Sequence, residues 1–271
     1  MENLSIVYMV AGISSRFQGK IKQFAKVGPS GETLIEYSLN QAIKAGFNKI
    51  VFIVGNLTEA PFKEKFGNSY RRIPIHYALQ RFNLEERDRP WGTTDALCSA
   101  INIIQEPFVV CNGDDIYGEN SFKTMNEHLK KSNDEAAIGF RLSKVIPEIG
   151  KTNRGIFKVD KNNFVTDLEE VFNIEKNNLS ATNTKPDDLC SMNIFALHPK
   201  TLHLLNEKLI SFKQKNKGDR KAECLLPKEV SDLIKEKEIK MKLYPAKDKW
   251  FGVTNPDDEI IVKKQLEELE N

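Results

Sequence analysis

Short, almost wholly apolar segments recur through the first half of the chain, each separated from the next by a stretch with helical spacing. Residues 49–55 (Lys-Ile-Val-Phe-Ile-Val-Gly) and 107–111 (Pro-Phe-Val-Val-Cys) lack the polar alternation of a strand with one wet face. Runs of this kind belong to sheets covered on both sides. Residues 6–10 make a third such run, ending at Ala11-Gly12, and 75–79 a fourth. Between them, 33–45 set Leu34, Tyr37, Leu39, Ala42 and Ile43 at helical spacing before Gly46, and 60–66 and 94–104 are also predicted helices. A β-α-β-α order with buried strands is built by parallel pairing through crossover helices, with ligands outside the carboxyl ends of the strands. The predicted fold class is therefore α/β, a single doubly wound, mostly parallel mixed sheet.

The second half reads differently. Residues 136–142, 155–159 and 192–197 are predicted strands, 176–185 a polar loop, and 200–217 and 229–237 amphipathic helices with solvated charged faces. The expected organisation is one domain, with residues 1–122 as a nucleotide-binding half and 123–271 as a substrate-binding half that completes the sheet. With 40 Lys and Arg against 38 Asp and Glu, the net charge of +2 lacks the basic surplus of a nucleic-acid binder. No apolar run approaches the ~20 residues of a membrane helix, and the acidic start has no basic leader. Cys98, Cys111, Cys190 and Cys224 are scattered without CxxC or zinc-ligand spacing, so buried free thiols and a cytoplasmic location are expected.

Four segments carry candidate chemistry. The loop after the first strand, residues 10–23, combines the small Ala11 and Gly12, the hydroxyls of Ser14 and Ser15, and the cations Arg16 and Lys22. Backbone N–H groups and hydroxyls can close on an oxyanion there, while a guanidinium fork and an ammonium suit a triphosphate. Lys20 competes with Lys22 for the second cationic role, and neither GxxxxGK[ST] nor GxGxxG is present. Asn112-Gly113-Asp114-Asp115 ends a buried strand with adjacent carboxylates, which suit a hard cation bridging phosphate oxygens. Neighbouring side chains on an extended segment point apart, so one aspartate is expected to hold the metal and the other to contact substrate or support it. Gln80, just past a strand, has an amide able to read a base edge, and Gly92-Thr93 allows close backbone approach followed by a helix start. Finally, Asn255 precedes Pro256-Asp257-Asp258, where it can ligate a cation shared with Asp114 or simply cap the last helix.

Taken in this order, the segments resemble the sugar-phosphate nucleotidylyltransferases, the pyrophosphorylases that make nucleotide sugars. The resemblance spans most of the chain and is strongest in 6–40, 80–118 and 250–258. Gly12, Ser15, Arg16 and Lys22 match the family's first motif, Asp114 its metal aspartate, and Gln80 with Gly92-Thr93 its base-reading elements. Lys22-Gln23 followed by Gly31-Glu32-Thr33-Leu34-Ile35 is also similar to the cytidylyltransferase branch that activates a methylerythritol phosphate. One departure is plain: Gly252 stands where many members carry a second metal aspartate, and Gly252-Val253-Thr254-Asn255 is similar to the acetylglucosamine-1-phosphate uridylyltransferase variant in which an Asn ligates the metal.

The resemblance implies a Rossmann-like, glycosyltransferase-A-type fold and Mg²⁺-dependent transfer of a nucleotidyl group from an NTP to a sugar 1-phosphate, releasing pyrophosphate. It implies Arg16 on the leaving phosphates, Lys22 on the α-phosphate, Mg²⁺ on Asp114 and Asn255, and Asn193 and Glu169 against the sugar. Arg154, beside Gly155, is a candidate for the acceptor phosphate, with Asp115 a further substrate contact. The expected partners are the NTP and the phosphorylated small molecule, not nucleic acid or membrane, and a homo-oligomer is allowed. The rival activities are a cytidylyltransferase acting on a polyol or amino-alcohol phosphate and a nucleotide-binding regulator that has lost catalysis.

Overall fold

The structure is a computed structural model that describes residues 3–12, 21–148, 150–253 and 258–270. In chain order, the first half holds β1 (Ser5–Met9), a 3-10 turn (Lys22–Phe24), α1 (Leu34–Lys44), β2 (Lys49–Val54), α2 (Glu59–Phe66), β3 (Ser69–Tyr70), β4 (Ile73–Leu79), α3 (Thr93–Cys98), β5 (Phe108–Asn112) and β6 (Asp115–Ile116). Then come α4 (Glu119–Leu129), β7 (Glu135–Arg141), α5 (Leu142–Val145), β8 (Thr152–Val159), β9 (Val165–Ile174) and β10 (Leu189–Leu197). The chain closes with α6 (Pro199–Lys215), α7 (Leu226–Lys235), β11 (Met241–Pro245), β12 (Phe251–Gly252) and α8 (Asp258–Glu270).

One sheet runs through both halves in the order β11-β7-β10-β5-β1-β2-β4-β3. Strands β5, β1, β2 and β4 are parallel neighbours, as the apolar runs require. β10 enters antiparallel between β5 and β7, and the β8–β9 hairpin joins β10 at a single pair, Cys190 with Ile156. The alternation of side chains explains why no polar periodicity is visible: Ile6, Tyr8, Ile50, Phe52 and Cys111 enter the core on one face, and Val7, Val51, Ile53 and Val110 the core on the other. Phe52 sits at the centre of the first core, 5.0 Å from the Phe62 ring and 5.2 Å from Phe66. Truncating such a side chain to Ala costs about 3–5 kcal/mol. A third core packs Leu34, Ile116, Phe251 and Leu266 beneath the antiparallel β6–β12 ribbon.

Local signals set the element ends. Thr33 and Glu36 form a capping box, with the Thr33 backbone N–H donating to Glu36 Oε2 at 2.9 Å, so α1 starts where a side chain satisfies an orphan donor. The helix predicted over 94–104 stops at Cys98 instead. From there Ala100, Ile101 and Ile103 bond three residues back, and Ser99 Oγ donates to the Ala96 carbonyl at 2.6 Å, giving successive tight turns.

Candidate active site

The cavity at the carboxyl end of β5 and the amino-terminal half of the antiparallel β10 has a volume of about 340 Å³ and is bordered from both halves of the chain. The 3-10 turn after the first loop points Lys22 into it, and the turn leaving β5 supplies Asp114. Lys22 Nζ lies 2.6 Å from Asp114 Oδ2, so the cation from the amino-terminal segment and the acid at the strand tip meet in one cleft.

Asp115 also borders the cavity but is only 8% exposed. Asn112 Nδ2 donates to its Oδ2 at 2.9 Å, and Tyr117 Oη stands 3.1 Å from the same oxygen. Tyr117 has a single O–H to divide between this carboxylate and the Met192 carbonyl at 2.7 Å, while its oxygen accepts the Asn112 backbone N–H. Burial, reinforced by the charge of Asp114, pushes the Asp115 carboxyl up to about 7 against the opposing pull of Asn112, Lys22 and Tyr117. The division of roles read from the extended backbone therefore has a physical form: Asp114 is open and paired, Asp115 buried and braced.

A bulge in β10 shapes the opposite wall. Register shifts between Ser191 and Phe195, and Asn193 takes the left-handed conformation (φ +59°) that Asn tolerates better than most residues. Its backbone N–H donates to Ser191 Oγ at 3.1 Å, and Ser191, Met192 and Asn193 all border the cavity. Arg154 closes another side. Its Nη1 and Nη2 donate to the carbonyls of Asn153 and Val145, each at 2.9 Å, its Nε is buried without a protein partner, and burial lowers the guanidinium's pKa.

Several predicted site residues sit elsewhere. Glu169 is corrected by one position: it pairs with Lys158 at 3.6 Å and lies outside the cavity lining, whereas Glu170, on the other face of β9, borders the cavity. Burial raises the Glu170 carboxyl, and the Arg154 charge offsets part of that rise. Gln80 is buried and does not border the cavity; both hydrogens of its Nε2 are used, on the Gly92 carbonyl at 3.0 Å and on Asp95 Oδ2 at 2.8 Å. Gly92 (φ +98°) packs against the segment that precedes α7, since a Cβ there would lie 2.5 Å from the Cys224 carbonyl oxygen. Thr93 does border the cavity, and its Oγ1 accepts the Leu226 N–H at 2.8 Å, tying α3 to the start of α7. Ala11 and Gly12 follow β1 and are not among the described residues that border the cavity, and no described residue lies within 4 Å of a Cβ placed on Gly12. Ser14, Ser15, Arg16, Lys20 and Asn255 lie outside the described residues.

Gly252 pairs with Asp115 across the β6–β12 ribbon. A Cβ there would lie 2.4 Å from Trp250 Cζ2 and 3.0 Å from Asp115 Oδ1, so the indole occupies the space into which a side chain at 252 would project. Trp250, which no sequence argument singled out beyond its motif, thereby becomes a wall of the cavity. Among the described residues, no group of three or more His, Cys, Asp or Glu converges as a complete metal cage. The donor set fits a hard cation nonetheless: the adjacent carboxylates of Asp114 and Asp115 both border the cleft and suit Mg²⁺, which takes one or two carboxylates and completes its shell with water and phosphate oxygens.

The match to solved structures covers nearly the whole chain. A UDP-glucose pyrophosphorylase complexed with UDP-glucose aligns over 99% of this chain and 100% of that one, with a TM-score of 0.68 and 17% identity. A UTP-bound UGPase from Acinetobacter baumannii aligns over 100% of this chain and 95% of that one, with a TM-score of 0.66 and 15% identity. A structure described as a glucose-1-phosphate thymidylyltransferase from Bacillus anthracis, in complex with a sucrose, aligns over 97% and 95%, with a TM-score of 0.70 and 12% identity. No curated protein matches by sequence. At these identities the structures share the fold, the mostly parallel mixed sheet flanked by helices expected from the apolar runs. The family model described as nucleotidyl transferase matches residues 18–268. With a match of that extent, this chain belongs to the nucleotidyl transferase family of enzymes.

Proposed function

We propose that the protein transfers a nucleotidyl group from an NTP to a sugar 1-phosphate, with Mg²⁺, giving a nucleotide sugar and pyrophosphate. The observation that carries this reading is the 2.6 Å contact of Lys22 with Asp114 in a cleft bordered on its far side by Arg154 and Asn193. A phosphate-binding cation and a metal-binding acid are thus set beside groups able to receive an acceptor.

An oxygen of the acceptor phosphate attacks the α-phosphorus, a new P–O–P link forms, and the bond to the β-phosphate breaks with its electron pair leaving on pyrophosphate. The attacking oxygen is already anionic, so no general base is required. What the site must supply is the meeting of two polyanions and neutralisation of the charge that develops between them. Lys22, released from Asp114 as phosphate arrives, donates to the α-phosphate. Arg154 holds the acceptor phosphate, and Asn193 and Glu170 orient the sugar. Asp114 and Asn255 would hold Mg²⁺, which would supply neutralisation of the charge that develops during transfer. Arg16 and the hydroxyls of Ser14 and Ser15 are assigned to the leaving phosphates, and Asp115 braces the metal-side turn. The buried free thiols Cys98, Cys111, Cys190 and Cys224 accord with a reducing, cytoplasmic setting.

The experiment is pyrophosphate release with each of four NTPs against a panel of sugar 1-phosphates, polyol phosphates and amino-alcohol phosphates, with and without Mg²⁺. The reading requires release with at least one sugar 1-phosphate, dependent on Mg²⁺. Release confined to polyol or amino-alcohol phosphates, or nucleotide binding without release, refutes it.

A further inference from the structure

A second, larger cavity of about 840 Å³ shares Asn153, Arg154 and Trp250 with the active-site cleft. Every described residue that borders it lies at or beyond position 143, on the acceptor side of the molecule. Its charge is one-sided: Lys144, Lys151, Arg154, Lys176 and Lys249 face it, against the carboxylates of Glu148 and Asp258. Lys176 is paired with Glu148, and Lys151 with Glu175 at 3.2 Å. Among the described residues Lys144 and Lys249 have no ion-pair partner, and Lys249 Nζ sits 4.9 Å from the centre of the Phe251 ring. Ile146, Trp250 and Ile261 add apolar surface to its lining. A cleft lined mostly by one sign of charge focuses its field and raises the local concentration of anions.

Resting on the reading of the site as nucleotidyl transfer, we infer that the acceptor is larger than a singly phosphorylated monosaccharide and carries a second anionic group, a carboxylate or a second phosphate, seated in this larger cavity. Its reacting phosphate lies against Arg154 on the catalytic side, and its distal anion lies among Lys144 and Lys249 on the other, with Trp250 between the two compartments. The absent side chain at 252 allows this arrangement, because only a glycine there lets the indole lie across the ribbon as the shared wall.

The test compares kcat/KM for glucose 1-phosphate, glucose 1,6-bisphosphate and glucuronic acid 1-phosphate, in the wild type and in a Lys144→Ala/Lys249→Ala double variant. Pyrophosphate release with the preferred NTP is the readout. The expected wild-type result is a preference of about tenfold or more for an acceptor with a second anion, mostly in KM, which shrinks as salt is raised. The bisphosphate and the uronate arms separate phosphate from carboxylate. The double variant is expected to lose most of that preference. Equal kcat/KM for all three acceptors, or a preference that the double variant retains, overturns the inference. If no acceptor releases pyrophosphate, the transferase reading has failed separately. Quenching of tryptophan fluorescence by the same three ligands then decides the cavity's selectivity: tighter binding of the doubly anionic ligands, weakened in the double variant, supports the inference, and equal binding overturns it.

Discussion

Gly92→Ala measures how firmly the turn before α3 is locked to the segment before α7. Gly92 has φ +98° and ψ −170°, a backbone region open essentially to glycine alone, so an alanine there costs about 1–3 kcal/mol before any contact is considered. The new Cβ would lie 2.5 Å from the Cys224 carbonyl oxygen and 2.8 Å from its nitrogen, both backbone atoms that cannot rotate away. Relief requires the two segments to part, which stretches the Cys224 N–H bond to the Trp91 carbonyl (2.7 Å) and the Thr94 N–H bond to the Cys224 carbonyl (3.0 Å). At about 1 kcal/mol for each hydrogen bond, the total loss is about 3–5 kcal/mol. The assay is urea unfolding followed by tryptophan fluorescence, with Gly67→Ala excluded for its positive φ and Gly12→Ala as the comparison, since among the described residues nothing lies within 4 Å of a Cβ at that position. Gly12→Ala is expected within about 0.5 kcal/mol of wild type. The reasoning is refuted if Gly92→Ala unfolds at the same urea concentration as wild type.

Other perturbations address the cleft and the sheet's far end. Lys22→Ala is expected to lower kcat by two or more orders of magnitude with an unchanged unfolding midpoint, because the lost contact belongs to the reacting phosphate; steady-state pyrophosphate release checks it. Asp114→Asn should leave residual turnover insensitive to added Mg²⁺, read from a Mg²⁺ titration of the rate. Arg154→Lys is expected to raise the acceptor KM more than it lowers kcat, since the bidentate fork is lost while the charge remains. His198 Nδ1 donates to Glu135 Oε2 at 3.0 Å, a hydrogen bond that raises the imidazole's pKa. The protonated ring is therefore favoured in the folded state. Its contribution to stability is complete below the unfolded value of about 6.5 and is lost as pH rises through the folded value. His198→Asn should remove that part of the pH dependence, measured as urea midpoints from pH 5 to 9.

What the sequence disclosed depended on how strongly each residue's environment is written in its own neighbourhood. The buried parallel strands were legible because both faces of residues 49–54 and 108–112 meet apolar cores, leaving runs with no polar interruption. β9 was not, since it carries Asp167, Glu169 and Glu170 on a hairpin whose outer positions are wet. α4 escaped notice for a similar reason: Phe122, Met125 and Leu129 have helical spacing but sit among polar residues, some of them buried, such as Asn126 and His128. At the site, Lys22 and Asp114 could be paired from motif chemistry, yet the one-residue choice between Glu169 and Glu170 turns on strand phase, which a strand that was not predicted cannot supply. Gln80 and Gly92 illustrate another limit. Their residue types fit a base-reading role, but Asp95 and Cys224, distant or differently assigned in the sequence, claim their polar groups and space.

The hairpin of β8 and β9 pairs with β10 at Cys190, bridges β11 through Phe164 and Lys242, and buries Ile156, Phe157, Val165 and Leu168 in the cores, while it delivers Asn153, Arg154 and Glu170 to the cleft. Exchange of its cavity-facing side chains would recut the pocket while the buried ones keep the hairpin seated on the sheet and leave the lysine–aspartate meeting undisturbed. Such a scaffold gives variation a narrow route: specificity can be tried one cavity-facing position at a time, and the alternate residues of the same two strands keep the chain folded.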